Sequence, residues 1–275
     1  MSTTVTIIVD NRARDGLLSE HGLSLWIESE DRRILFDTGQ GAALAANAST
    51  IGIDLAETDI VVLSHGHYDH AGGITHVLRC APDAHVYCHP GVLQTRYAVR
   101  NLTAVAVGIS QETKEALRNL PAEHIHWVKE PCLLTQTIGL TGPVPRLTTY
   151  EDTGGPFYLD RHGEHADLIE DDLALWIRTD EGTVTLFGCG HAGLINTLNH
   201  VHHLTGDPRF RAVIGGFHLV AAEEQRLEQT VTALQALAPA ALIPCHCTGD
   251  PATTLLQDTF GEIVSPGAAG IRYQF

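Results

Sequence analysis

Apolar residues, many of them β-branched, alternate with polar ones or run together over short stretches in the first half of the chain. The pattern at 5–9, 23–28, 34–37, 60–63 and 85–88 predicts strands. Segments 42–48 and 74–80 carry helical spacing instead. The second half repeats this texture, with strands predicted at 173–178, 184–187, 212–214 and 241–244 and helices at 194–204, 223–237 and 252–260. Strands interspersed with helices in both halves predict an α/β protein whose two sheets are covered by helices on their outer faces. Residues 141–172 break the pattern, being rich in turn formers and charge. Loops this long are uncommon unless they have a function, so the segment is either an insertion covering a site or a solvated excursion.

The chain has 275 residues, enough to bury a substantial core, and 1–275 is expected to be a single domain. Its opening MSTTVTIIVD has no basic leader followed by a long apolar segment, and no run approaches the roughly 18 apolar residues of a membrane span. A cytoplasmic protein without membrane contact is the expectation. Cysteines stand at 80, 88, 132, 189, 245 and 247, spacings too irregular for a disulfide framework. A formal net charge of −16 with no basic stripe argues against a nucleic-acid partner, whose phosphates would be repelled.

Chemistry concentrates in SHGHYDHAGG, Ser64 to Gly73, directly after the apolar run ending at Leu63. A single histidine is more often a hydrogen-bonded core or surface residue, but His65, His67, Asp69 and His70 form H-x-H-x-D-H. Imidazole and carboxylate are natural ligands of zinc and similar cations, with bonds of about 2.0 to 2.2 Å that demand convergence. A continuous helix would need ligands three or four apart. Spacing of two predicts a strand end unwinding into a loop, with His65 and His67 on one side and Asp69 and His70 on another. Two groups of ligands point to two metals.

Further donors are sought where other strands end. LFGCGHAG offers Cys189 and His191, VIGGFHL offers His218 beside Gly215 and Gly216, and ALIPCHCTG offers His246. In extended geometry Cys245 and Cys247 point away from His246, and both read best as small buried hydrophobes. His200, His202 and His203 fall on a predicted helix without i, i+4 spacing and read as a solvated face. His124 and His126 lack supporting context, and His165 becomes a ligand only if its irregular segment folds inward.

With H-x-H-x-D-H after a strand, LFDTG at 35–39, EHGLS at 20–24, GC-x-HAG, IGGFHL and PCHCTG, the sequence resembles the metallo-β-lactamase superfamily. It is most similar to the branch that includes the archaeal dihydropterin ribofuranosylaminobenzene-phosphate synthases. The resemblance implies a four-layer αββα sandwich of two mixed β-sheets with a metal pair at one sheet edge. It implies His65, His67, Asp69 and His70 as ligands, Asp37 as support for their loop, and His246 as completing the second metal. Residues 171–189 look like the hairpin that precedes a bridging ligand in this superfamily. That alignment favours Cys189, whereas the branch pattern favours His191.

Two divalent metals, zinc with manganese or iron as alternatives, would activate water for hydrolysis of an ester, phosphoester or related small molecule. Asp69 would be ligand and proton acceptor, and His218 or His21 a general acid. A synthase of the branch type and a non-catalytic metal sensor are the alternatives. Arg146 and Arg161, with Arg96 and Arg100 in the same expected region, offer planar forks for an anionic substrate; pairing with surface acids is the competing reading.

Overall fold

The computed structural model describes residues 3–275, which divide into two compact units. The first comprises residues up to 128 together with 156–171 and 268–275, and the second comprises 129–155 and 172–267.

The first unit is built on a mixed seven-stranded sheet. Its order is Arg272–Gln274, Thr4–Val9, Ser24–Ser29, Arg32–Phe36, Ile60–Leu63, His85–Cys88 and Ile125–Trp127. The strands Arg32–Phe36, Ile60–Leu63, His85–Cys88 and Ile125–Trp127 run parallel, so their C-terminal ends share one edge. Ile60–Leu63 is buried throughout, as expected for a parallel strand covered on both faces. Leu44, Ile74, Val77 and Leu117 from the helices Leu44–Thr50, Ile74–Cys80 and Gln111–Arg118 join Leu35, Val61, Leu63 and Val86 in one core. A small antiparallel sheet of Phe157–Tyr158, Tyr97–Arg100 and Thr103–Ala106 belongs to the same unit.

The second unit carries a mixed six-stranded sheet in the order Leu242–Cys245, Phe210–Gly216, Gly182–Phe187, Ala174–Thr179, Ile138–Leu140 and Cys132–Leu133. The first three strands are parallel and the rest antiparallel. Helices Leu194–Thr205, Glu224–Leu237 and Asp250–Phe260 contribute Leu198, Leu234 and Leu256 to a second core with Phe187, Val213 and Leu242. No helix among the described residues is long and apolar enough to cross a membrane.

All nine strands and five helices expected from the pattern are present, shifted by a few residues at their ends. Helix Gln111–Arg118, capped by the Ser110 hydroxyl accepting from the Thr113 amide, was not expected, nor were the short strands of the small sheet. Residues 141–172 do not form one excursion. They divide between the units, and Phe157–Tyr158 lies within a sheet.

Candidate metal centre

In the first unit the backbone leaves the strand Ile60–Leu63 at Ser64 and stays extended at His67, which caps the one-turn helix Tyr68–Ala71. The sequence expectation of an unwinding strand end therefore holds for His65 and His67, while Asp69 and His70 occupy a helical turn. Nε2 of His65 and Nδ1 of His67 lie 3.0 Å apart. Two imidazole ligands on one tetrahedral ion would sit roughly 3.3 Å apart, given bonds of about 2.0–2.1 Å. The expected separation into two sides is less complete than predicted, because the His70 ring lies against that of His65 with centroids 4.4 Å apart. All four side chains are buried, and Asp69 Oδ2 is 3.1 Å from Nε2 of the exposed His21.

Asp37 fixes the protons of this group. Its Oδ1 accepts the Ser64 amide and its Oδ2 accepts the Ser64 hydroxyl, each at 2.7 Å. The hydroxyl, having spent its proton on Asp37, accepts from His65 Nδ1 at 2.9 Å, and His70 Nδ1 donates to Asp37 Oδ2 at 2.7 Å. Both histidines are thus held as Nδ1–H tautomers with a lone pair on Nε2, the form that binds a cation. His67 is kept neutral as well: burial, aided by Arg96 and His70 and opposed by Asp69 and Asp171, lowers its pKa to about 3. A group of neutral imidazoles beside a carboxylate, with tautomers set by buried acceptors, fits a divalent metal.

The loop is braced from residues distant in sequence. Asp171 Oδ2 accepts the Gly66 amide at 2.8 Å, in the middle of the H-x-H turn, and also binds Arg96 Nη1. Arg96 Nε reaches Asp167 at 2.8 Å. Burial opposes the guanidinium charge, and Asp171 and Asp167 more than offset it. Arg96 is therefore no substrate arginine; it is buried and paired. A Cβ at Gly66 would come within 2.5 Å of the Val92 carbonyl, so only glycine lets the turn pack this closely. Phe157 covers His67 with ring centroids 4.9 Å apart, so the middle of the irregular segment supports the motif directly. EHGLS and LFDTG also hold the motif by its main-chain carbonyls. The Leu23 amide donates to the Asp69 carbonyl, and the Thr38 amide and hydroxyl both donate to that of His70.

The second unit gathers its donors at the ends of its parallel strands. His191 Nδ1 donates to the Thr153 carbonyl at 2.7 Å, which places its lone pair on Nε2, and its own carbonyl accepts from Arg146 Nη1 at 2.6 Å. The His191 and His218 rings are 4.3 Å apart. His218 and His246 adopt left-handed backbone, with φ of 44° and 45°. Such geometry is uncommon outside glycine and collects at functional sites. Gly154 approaches His218 so closely that a Cβ there would lie 1.9 Å from the ring. Cys189, His218 and Cys247 present ligand atoms within 4.8 Å of one another. Burial pushes the Cys247 thiol up, but its contact with Cys189 and the rings of His218 and His246 bring it below the ordinary value. Cys245 matches the reading of a small buried hydrophobe, its thiol resting on the Ile243 carbonyl, whereas Cys247 faces other donors.

Other expected residues fall elsewhere. His165 is exposed and bonded to Asp160, so it does not join the buried donors. Arg161 is exposed and lies over the Tyr97 ring, its Nε donating to the phenol oxygen. His202 and His203 form the solvated face expected of them, while His200 reaches the Thr141 carbonyl. His126, without context in the sequence, pairs with His85 at 2.8 Å across neighbouring strands. Sequence reasoning missed Ser64, Thr153, Asp167 and Asp171 as supports. Only Ser64, next to the motif, offered a local signal.

Comparison with known proteins places these features in context. The sequence profile described as the metallo-beta-lactamase superfamily matches residues 20–246. The 7,8-dihydropterin-6-methyl-4-(beta-D-ribofuranosyl)-aminobenzene-5'-phosphate synthase of Methanocaldococcus jannaschii is 30% identical over 256 residues, covering 89% of this chain and 86% of the synthase. An uncharacterized protein of the same organism is 31% identical over 254 residues, covering 92% of this chain and 93% of its own. Among solved structures, Tm1679, described as a metal-dependent hydrolase of the beta-lactamase superfamily, is similar with a TM-score of 0.84 and 29% identity, covering 98% of both chains.

Proposed function

Because the chain belongs to the metallo-β-lactamase superfamily, we propose that it is a metal-dependent hydrolase of an ester, phosphoester or related small molecule. His65, His67, Asp69 and His70 are its metal ligands. The observation that carries this reading is the convergence of His65 Nε2 and His67 Nδ1 at 3.0 Å beside a carboxylate, with the tautomers of His65 and His70 already set for ligation. Zinc suits imidazole and carboxylate donors, and manganese or iron accept similar sets. Bound there, two divalent cations would polarise the scissile group and lower the pKa of water. The chain's own part is to hold neutral imidazoles in place and to manage protons. Asp69, 3.1 Å from His21, can accept a proton and pass it to an imidazole that is more than half exposed. Arg161, with its guanidinium at the surface, is the arginine available to an anionic substrate; Arg146 is engaged with the His191 carbonyl.

A second reading is favoured by the synthase relative, 30% identical over 89% of this chain. In it the same metal ligands serve condensation of a pterin with an aminobenzene ribosyl phosphate.

Metal analysis followed by two assays separates the readings. Supplemented protein is expected to hold close to two equivalents of first-row metal and to turn over an activated phosphodiester, with both lost in His65→Ala/His67→Ala. Arg161→Ala should raise KM more than it lowers kcat, as for loss of uniform binding. Metal-dependent condensation without phosphodiester turnover would establish the synthase reading, and trace metal after supplementation would reject both.

A further inference from the structure

The three parallel strands of the second unit end in the same way. Gly182–Phe187 is followed two residues on by Cys189, Phe210–Gly216 by His218, and Leu242–Cys245 by Cys247. These strands are adjacent in the sheet, so a common offset brings three donors from distant parts of the sequence to one sheet edge. The carboxyl ends of parallel strands are where α/β proteins assemble ligand sites. Here two sulfurs and one imidazole nitrogen lie within 4.8 Å of one another, and the two cysteines are buried.

The surrounding backbone leaves room for these side chains. A Cβ at Gly216 would stand 2.6 Å from the Cys247 sulfur, and one at Gly154 would collide with the His218 ring. His218 itself sits in left-handed backbone, with φ of 44°, and presents a ring nitrogen within 4.8 Å of both sulfurs.

Cys189 also lies within 4.8 Å of ligand atoms of His191 and of His246, and we propose that with His218 and Cys247 it forms a site for a thiophilic cation such as zinc, cadmium or copper(I). Thiolate and imidazole are the donors that select such ions over the hard cations favoured by carboxylates. With zinc–sulfur bonds of about 2.3 Å and zinc–nitrogen bonds of about 2.0–2.1 Å, ligand atoms on one ion are separated by roughly 3.4–3.8 Å. Closing the set requires a shift of about 1 Å or less at flexible side-chain ends. The fourth position remains for a small exogenous ligand. This site assigns His218 to ligation rather than to proton donation.

Cadmium tests it directly, because bound thiolates give an ultraviolet sulfur-to-metal charge-transfer band that imidazole and carboxylate do not. Titration of reduced, metal-free protein is expected to give this band, saturating at a single equivalent and unchanged in His65→Ala/His67→Ala. Cys189→Ser and Cys247→Ser should each reduce it to the level of one thiolate, and His218→Ala should weaken binding while keeping both thiolate contributions. Gly216→Ala, which keeps every ligand residue but crowds the Cys247 sulfur and the Gly188 carbonyl, should also weaken cadmium binding. Absence of the band in the wild-type protein would overturn the proposal, whatever the folding of the variants. So would an unchanged band in Cys247→Ser, or its loss in His65→Ala/His67→Ala, since either would assign Cys189 to the other metal set.

Discussion

Asp37 shows how one side chain governs several others. Its two oxygens accept from the Ser64 amide, the Ser64 hydroxyl and His70 Nδ1, and through the hydroxyl they also determine the tautomer of His65. Its backbone is left-handed, with φ of 61°. Asparagine tolerates that conformation as well as aspartate does, so Asp37→Asn changes the hydrogen bonding with little backbone strain. An amide has one acceptor oxygen where the carboxylate has two, and its NH2 would face a donor. Outer partners of metal ligands typically contribute about 10–100-fold to affinity. Asp37→Asn should lose metal by that factor in competition with a chelator while its circular dichroism is retained. The first motif was legible because its members are neighbours in sequence and of unmistakable type. Asp171 was not, since it lies 105 residues from the Gly66 amide it accepts in a segment with no pattern of its own. Arg96 was misread for a related reason: an arginine's sequence neighbours do not reveal that two distant carboxylates will bury it.

At the level of elements, the legible ones are those whose side chains meet a core on at least one face. Ile60–Leu63, His85–Cys88 and Ile74–Cys80 match their sequence expectation to the residue because apolar spacing alone defines them. Tyr97–Arg100 and Thr103–Ala106 are half exposed, and their alternation is too weak to separate from loop sequence. Helix Leu194–Thr205 was expected, but the group that caps it was not. Glu151 accepts the Ile195 and Asn196 amides, each at 2.8 Å, satisfying first-turn donors that have no partner within the helix. Glu151→Ala should cost about 1–2 kcal/mol in urea unfolding, the range of a lost cap. Burial holds the Glu151 carboxyl above its ordinary value, with the bonds from Ile195, Asn196 and Thr148 pulling the other way. A value raised in the folded state means a contribution present at low pH that declines as pH rises through the carboxyl range. The stability advantage of the wild type over Glu151→Gln should therefore shrink as pH is raised through that range.

On the scale of the whole molecule, the superfamily and the α/β class were readable because the motifs are local and the strand ends that carry them follow apolar runs. The division into two units was not readable, because the first unit is drawn from three separate stretches of sequence. Its last contribution is 268–275, where Arg272–Gln274 pairs with Thr4–Val9, the Ile7 amide donates to the Ile271 carbonyl and the Gly270 amide to that of Ile7. Deleting 268–275 removes an outer strand of that sheet and uncovers the edge of Thr4–Val9. Limited proteolysis of the shortened protein should degrade the first unit well before the second, whereas equal loss of both would show that their stabilities are inseparable.

The nesting also sets a timetable for synthesis. The part of the first unit up to residue 128 is synthesised well before 268–275, the stretch that supplies the strand Arg272–Gln274. Until that stretch emerges, the edge of Thr4–Val9 stands open to other chains. Slow translation of the stretch between them would prolong that interval, in which chaperones that shield unpaired strands would act.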